Sequence, residues 1–215
     1  MRMITFGCNM IKTTHFKLSN KLYHIAFHFS TPWINYVKNI FDECGLSYIW
    51  YNQDFISISW VKNTVFHRLK DQFIQKWESE MFQSPKGLNY RIFKNDFCLE
   101  HYLNDLSFKD AVKLCKFRTC NINLPIEKGR WLNIPRNERK CTLCNSDEIG
   151  DEFHYLFNCK DIIISSKRKT CLSKYYCENP NTFKFDSLFN SKNRNILMKI
   201  VKFINVIDER VTSPG

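Results

Sequence analysis

The feature that most constrains this chain is the pattern Cys141-x-x-Cys144, nine further residues, His154, four further residues, and Cys159. Three thiols and one imidazole are the donor set that a tetrahedral, structural Zn²⁺ takes up with no position left open for chemistry. Closing the short cysteine pair onto one ion costs little loop entropy. The spacing therefore predicts a zinc knuckle whose metal ligands are Cys141, Cys144, His154 and Cys159.

Closing such a site requires a particular local geometry. Residues 151–157 are predicted to form a short helix, with Asp151 at the end where the helix dipole favours a carboxylate. On a regular helix, His154 and Cys159 would lie about 140° apart, so Cys159 is expected just beyond the last turn. Other cysteines could compete for the ion, and they form two pairs: Cys115 with Cys120, and Cys171 with Cys177.

The remaining residues indicate a mainly α fold: a helical bundle, the small CCHC knuckle, and a C-terminal helix. The 215 residues are 44% hydrophobic and 15% aromatic, which excludes wholesale disorder. The predicted division is residues 1–30 unassigned, 31–112 a helical linker domain, 113–178 a basic segment with the knuckle, and 179–215 the C-terminal helix. No apolar run is long enough to span a bilayer. With no convincing signal peptide, the ten cysteines favour a reducing intracellular compartment, nucleus or cytoplasm.

Capping signals and apolar spacing place the individual helices. Thr31-Pro32 opens one helix and Gly45 ends it. A long helix over 57–83 has an aromatic stripe that we expect to be core. Further helices are predicted from Asn95 or Asp96 to Leu103, from the capping box at Ser107, and over 192–209.

Charge is the second strong signal. The chain has 32 basic and 21 acidic residues, a formal charge of +11, which points towards a polyanionic partner. Residues 113–140 contain eight basic and two acidic side chains, interleaved with Phe117 and Trp131. That mixture suits single-stranded nucleic acid, because cations follow phosphates while rings stack on bases. A solvated basic linker with Trp131 packed on the knuckle is the alternative. The predicted contacts are Arg118, Lys128, Arg130, Arg136, Arg139 and Lys140 to phosphates, and Trp131 by stacking.

One stretch of the chain resembles a known family. The residues that carry the resemblance are Phe117-Arg118-Thr119, Leu124-Pro125-Ile126-Glu127-x-Gly129-Arg130-Trp131, Ile134-Pro135, Glu138-Arg139, Cys141-x-Leu143-Cys144 and Gly150-Asp151-Glu152-x-His154-Tyr155-Leu156-Phe157-x-Cys159. They are similar to the C-terminal region of LINE-type (non-long-terminal-repeat) retrotransposon reverse transcriptases. The resemblance implies a zinc-binding module that holds template RNA or target DNA, and it carries the same four ligands over.

The chain lacks the motifs of the catalytic domains in that family. It has no Asp-Asp dipeptide to hold paired Mg²⁺ ions and no endonuclease motif after Cys159. We therefore expect a non-enzymatic C-terminal piece of a larger retroelement protein. Three interpretations stay open: a nucleic-acid-binding module, a module that docks on a separate polymerase domain through a patch around Trp33, Tyr48, Trp50 and Tyr51, and a decayed copy without function.

Overall fold

A computed structural model describes residues 18–52 and 57–213, and the regular elements in these ranges are helices, as predicted. The backbone forms two compact units, Met1–Ser79 and Glu80–Gly215. The unassigned segment 1–30 lies outside the described residues over its first 17 positions. No helix in the described ranges is both long enough and apolar enough to cross a membrane.

Three short helices and one long helix surround a mixed aliphatic and aromatic core in the described part of the first unit. The helices that begin there are α1 Leu18–His28, α2 Pro32–Glu43, α3 Ser47–Asn52 and α4 Ile58–Gln83. The buried core side chains are Tyr23, Ile34, Val37, Phe41, Cys44, Leu46, Ile49, Trp50, Val61 and Val65.

Helix α2 confirms the prediction made from its end signals. It begins at Pro32, and Gly45 follows its end with a φ of 63°, in the left-handed region that glycine adopts without strain. The Leu46 N–H donates to the Phe41 carbonyl at 2.7 Å, which satisfies one of the last free carbonyls of the helix. Because this capping is local, it could be read from the sequence.

Only part of the predicted stripe of α4 is buried, which corrects our prediction for Phe66 and Phe73. Phe66 and Phe73 are 50% and 55% exposed, whereas the residues that α4 buries are Val61 and Val65. Leu69, four positions further on, packs partly against the same core. Phe66 follows Val65 by one residue, about 100° further around the helix, so it lies to the side of the buried face.

The second unit contains the metal-site motif and all later elements. Its helices are α5 Tyr90–Phe93, α6 Tyr102–Asp105, α7 Phe108–Arg118, α8 Pro125–Trp131, a 3₁₀ turn Arg136–Glu138, a π-helix His154–Asn158, α9 Ile162–Cys171, α10 Lys174–Cys177, α11 Thr182–Phe189 and α12 Arg194–Thr212. The last helix packs against α7 and α9. It buries its apolar face from Leu197 to Val211, as the 192–209 pattern predicted.

One predicted helix of this unit is wrong. Residues 94–100 are not helical, and short helices lie on either side of them. Glu100 forms ion pairs at 2.9 Å with Lys94 and with Arg118, both buried. Lys94 Nζ also donates to the Cys98 carbonyl at 2.7 Å. These contacts hold the segment in a loop around the two cations. The helix start predicted at Ser107 is confirmed, because its Oγ accepts from the Asp110 N–H, while the Asp110 carboxylate accepts from the Ser107 hydroxyl.

The proposed domain boundaries at 112/113 and 178/179 both fall inside the second unit. A single core takes side chains from Phe93 and Leu106, from Leu156, and from Phe189 and Ile204. The boundaries therefore do not separate compact units. The knuckle does not form a separate domain but lies on a helical core made by residues before and after it.

Candidate metal centre

A tight reversal of the chain carries the first pair of cysteines. Lys140 and Ile149 form an antiparallel bridge, and the Cys141 N–H donates to the Glu148 carbonyl at 2.9 Å. Asp147 turns the chain with a φ of 56°. Gly150 is needed for space, because a Cβ there would lie 2.9 Å from Pro125 Cγ and 3.1 Å from Cys141 Cα. Close packing, and not a special backbone angle, therefore requires glycine at this position.

The second pair of ligands lies on a turn wider than an α-helix. The Cys159 N–H donates to the His154 carbonyl at 2.8 Å, an i to i+5 bond, and His154–Asn158 is a π-helix. Cys159 follows its end, as predicted. Asp151 accepts from the His154 N–H at 3.0 Å, which confirms the expected acidic start. Single π turns often occur at functional sites, and this one brings His154 and Cys159 to the same side.

The four side chains converge on one point. Their ligand atoms all lie within 4.8 Å of one another. Cys141 Sγ is 3.9 Å from Cys159 Sγ, and Cys144 Sγ is 3.4 Å from His154 Nε2. His154 and Cys159 are buried, and the first two cysteines are half-buried. The arrangement can hold a metal ion.

No other such cluster competes within residues 18–52 and 57–213. There the four ligands are the one group of three or more histidine, cysteine or acidic side chains close enough to share an ion. The competing pairs, Cys115 with Cys120 and Cys171 with Cys177, lie outside it.

A shell of hydrogen bonds surrounds the ligands, and the sequence did not reveal it. Glu148 Oε2 lies 2.6 Å from His154 Nδ1, so the imidazole presents Nε2 to the thiols. The Leu143 N–H donates to Cys141 Sγ at 3.4 Å, and the Tyr155 hydroxyl lies at the same distance from that sulfur. Ligating histidines usually have a carboxylate or carbonyl on the other ring nitrogen. A carboxylate six residues before the histidine was the only sign of this partner.

The four side chains share protons through hydrogen bonds, and a bound ion would displace those protons. A hydrogen bond with Cys159 lowers the pKa of Cys141 to about 3. The same bond is the main reason that the pKa of Cys159 rises far above its ordinary value. Burial lowers the pKa of His154, but hydrogen bonds with Cys141 and Glu148 outweigh it and raise that pKa to about 9. A bound metal would take the place of these protons.

Arg168 is the second residue that the sequence interpretation missed. It belongs to a run of basic residues after Cys159, a pattern typical of a solvated surface, but it is buried. Its guanidinium donates to the Leu156 carbonyl at 2.7 Å, the Cys159 carbonyl at 2.8 Å and the Tyr155 carbonyl at 3.3 Å. These three hydrogen bonds connect the π turn to α9. The available signal was its position four residues after the buried Ile164 on α9.

Two of the six predicted phosphate contacts are structural arginines. Arg118 is wrong as a contact: its side chain is fully buried, donates to Glu100 at 2.9 Å and to the Phe189 carbonyl at 2.8 Å, and stacks 4.4 Å from the Phe93 ring centre. Arg139 donates to the Ile134 and Ile126 carbonyls at 2.8 and 3.1 Å.

The other predicted contacts lie at the surface to different degrees. Arg130, Arg136 and Lys140 are each partly exposed and paired, with Glu127, Asp151 and Asp147 respectively. Lys128 is exposed, and no ion pair holds it within the described residues. Trp131 is 59% exposed, so it is not packed on the knuckle as the alternative interpretation required.

Comparisons with known proteins give no further guide to the family. No protein-family model, curated protein or solved structure matches this chain. The account of what the chain does therefore depends on its own residues.

Proposed function

We propose that this chain is a zinc-organised, non-catalytic nucleic-acid-binding module related to the C-terminal region of LINE-type reverse transcriptases. The observation that carries the proposal is the convergence of Cys141, Cys144, His154 and Cys159 within 4.8 Å. Those four residues are also the ligands that the family resemblance implies. In that role the module would hold template RNA or target DNA.

The donor set and two of the six ligand separations support zinc as the metal. Two sulfurs about 2.3 Å from one tetrahedral ion lie about 3.8 Å apart, and a sulfur and an imidazole nitrogen about 3.6 Å apart. The observed separations are 3.9 Å for Cys141 to Cys159 and 3.4 Å for Cys144 to His154. Three thiolates and one imidazole fill the tetrahedron, so the ion would serve folding and not chemistry.

The surface around the site supports a polyanionic partner. Three thiolates on Zn²⁺ leave a net charge of −1, so neighbouring cations must attract the phosphates. Lys128, Arg130, Arg136 and Lys140 are the predicted contacts that reach the surface. Each of the last three cations is already paired with an acidic side chain, so a phosphate would have to share the cation with that carboxylate. Affinity should therefore be modest and strongly dependent on salt.

A salt titration tests the proposal. Binding of the zinc-loaded chain to a short single strand should weaken with a slope of log affinity against log salt of about −3, since four contacts each contribute about −0.7. The same measurement on a duplex shows whether the module prefers single strands. A slope near zero would contradict the proposal, because phosphate neutralisation would then contribute nothing.

A second function, docking on a separate polymerase domain, is favoured by exposed apolar side chains of the first unit. The patch that we predicted is only partly present: Tyr48 and Tyr51 are exposed, but Trp50 is buried in the core. Phe66 and Phe73 on α4 add further exposed aromatic surface. After nuclease treatment, wild-type chain should retain a purified LINE-type polymerase domain and a Phe66→Ser, Phe73→Ser variant should lose it. Equal retention by both would contradict docking through this helix.

The cysteines bear on the compartment. Those in the described residues are free thiols, which fits a reducing environment. We include an intracellular location, nucleus or cytoplasm, in the proposal on this ground.

A further inference from the structure

An open groove of about 260 Å³ lies on the second unit, away from the four metal ligands. One wall is the face of α7 that carries Lys109, Lys113 and Lys116, and Trp131 at the end of α8 also lines it. Side chains from 121–123 and from α12 complete the lining. Drug-sized ligands occupy pockets of about 300–1,000 Å³, so this groove has room for about one nucleotide and not for a duplex.

Trp131 gives the groove an aromatic wall with no partner of its own. The side chain is 59% exposed, and in the described residues its ring contacts no other aromatic ring. An indole that is this exposed beside a concavity offers apolar ring surface to a ligand. Stacking a base on such a face stabilises single-stranded complexes by about 1–3 kcal/mol per base.

The charges in the groove leave lysines available. Asp110 is engaged by the Ser107 hydroxyl at 2.6 Å, and Asp208 is paired with Lys113. Both carboxylates of the lining therefore have partners. Lys109 and Lys116 are exposed and have no acidic partner in the described part of the chain. They remain free to neutralise phosphates on either side of a base.

Three amide side chains add hydrogen-bonding capacity. Asn121, Asn123 and Asn205 line the groove, and no side-chain hydrogen bond holds them within the described residues. Each amide offers two donors and one acceptor oxygen. An asparagine amide matches the donor and acceptor pattern of a base edge, whereas a phosphate would need donors alone.

We propose that this groove receives one unstacked nucleobase of a single-stranded nucleic acid. Trp131 stacks on the base, the asparagine amides bond its edge, and Lys109 and Lys116 hold the flanking phosphates. The inference rests on the proposed nucleic-acid-binding function and makes it more specific. It places the base contact at α7 and α8, and not on the knuckle itself.

The test compares Trp131→Ala, Trp131→Phe and wild type on labelled oligothymidylate and oligouridylate, measured by fluorescence anisotropy with zinc-loaded protein. Trp131→Ala should weaken binding by about 5- to 150-fold, the equivalent of losing one stack. Trp131→Phe keeps an aromatic face and should retain most of the affinity. Trp60→Ala is the matched control, since Trp60 is 48% exposed on α4 of the other unit, and it should bind like wild type.

A sugar-phosphate strand of equal length without bases completes the design. Wild type and Trp131→Ala should bind this abasic strand equally, because there is nothing to stack. If Trp131→Ala bound base-bearing strands as tightly as wild type, the groove would be overturned while a steep salt slope still supported the proposed function. If wild type bound neither strand, the proposed function would fail and this inference with it.

Discussion

Two groups stand out among the basic residues of the second unit, and net charge does not distinguish them. Arg118, Arg139 and Arg168 donate to carbonyls or to Glu100 and are buried or half-buried. Lys109, Lys116 and Lys128 are exposed, with no ion pair among the described residues. Arginine satisfies several acceptors at once through its planar fork, whereas lysine is a solvated point charge. The comparison teaches that one basic stretch can contain some residues that stabilise the fold and others that stay available to a ligand.

The largest expected effect is on stability, at Arg118. Replacing it with Met leaves Glu100 with Lys94 alone and removes a stacked guanidinium, so the free energy of unfolding should fall by about 3–5 kcal/mol. Lys116→Met on the same helix should change it by less than about 0.5 kcal/mol. Urea denaturation of both variants measures the difference. Equal stability of the two would contradict the division into structural and free cations.

The next effect is on metal affinity, at Arg168. Arg168→Met leaves the carbonyls around the π turn without their donor and should weaken zinc binding by about 10- to 100-fold, as loss of an outer-shell partner does. Lys169→Met is the control, because Lys169 is the exposed neighbour. Competition with a chelating dye measures both affinities. Unchanged zinc affinity of Arg168→Met would show that the π turn does not depend on this residue.

A smaller, pH-dependent effect is expected at the carboxylates. Burial raises the pKa of Glu127, but hydrogen bonds from Arg130 and Lys86 outweigh it and lower that pKa overall. Its contribution to stability is therefore present above the unfolded pKa of about 4.3 and lost as pH falls through the folded pKa. The stability gap between wild type and Glu127→Gln should shrink as pH falls from 7 to below 4.

Glu152 should behave in the opposite sense. Burial raises its pKa, so its ionisation opposes folding as pH rises through the folded value. The stability of Glu152→Gln should therefore rise relative to that of wild type as pH increases through the folded pKa of Glu152. Urea titrations across pH test both variants, and a gap for Glu127→Gln that widened in acid would contradict the assigned sign.

The smallest effect is at Lys128. Lys128→Gln should leave stability unchanged and reduce the magnitude of the salt slope by about 0.7, one phosphate contact on a single strand. Arg139→Gln is the informative comparison, since Arg139 donates to two backbone carbonyls. It should lose stability and keep the slope of the remaining folded protein. Reversal of these two results would contradict the classification.

Local signals accounted for what the sequence predicted correctly. The four side chains that could hold an ion lie within 19 positions, and Pro32 with Gly45 and Ser107 with Asp110 define helix ends through neighbours. The predictions that failed concern residues whose contacts lie elsewhere in the fold. Arg118 is buried because the Phe189 carbonyl, 71 residues later, accepts from it. The carbonyls of the wide turn before Cys159 accept from Arg168 on the next helix, and the exposure of Phe66 depends on which side of α4 meets the core.

The central claim is that one ion joins Cys141, Cys144, His154 and Cys159 and thereby organises the second unit. Metal content after purification and dialysis, compared between Cys159→Ser and Cys171→Ser, tests it most directly. We predict one zinc per chain in wild type and in Cys171→Ser, and loss of zinc in Cys159→Ser. Retention of a full equivalent by Cys159→Ser, or its loss from Cys171→Ser, would contradict the account.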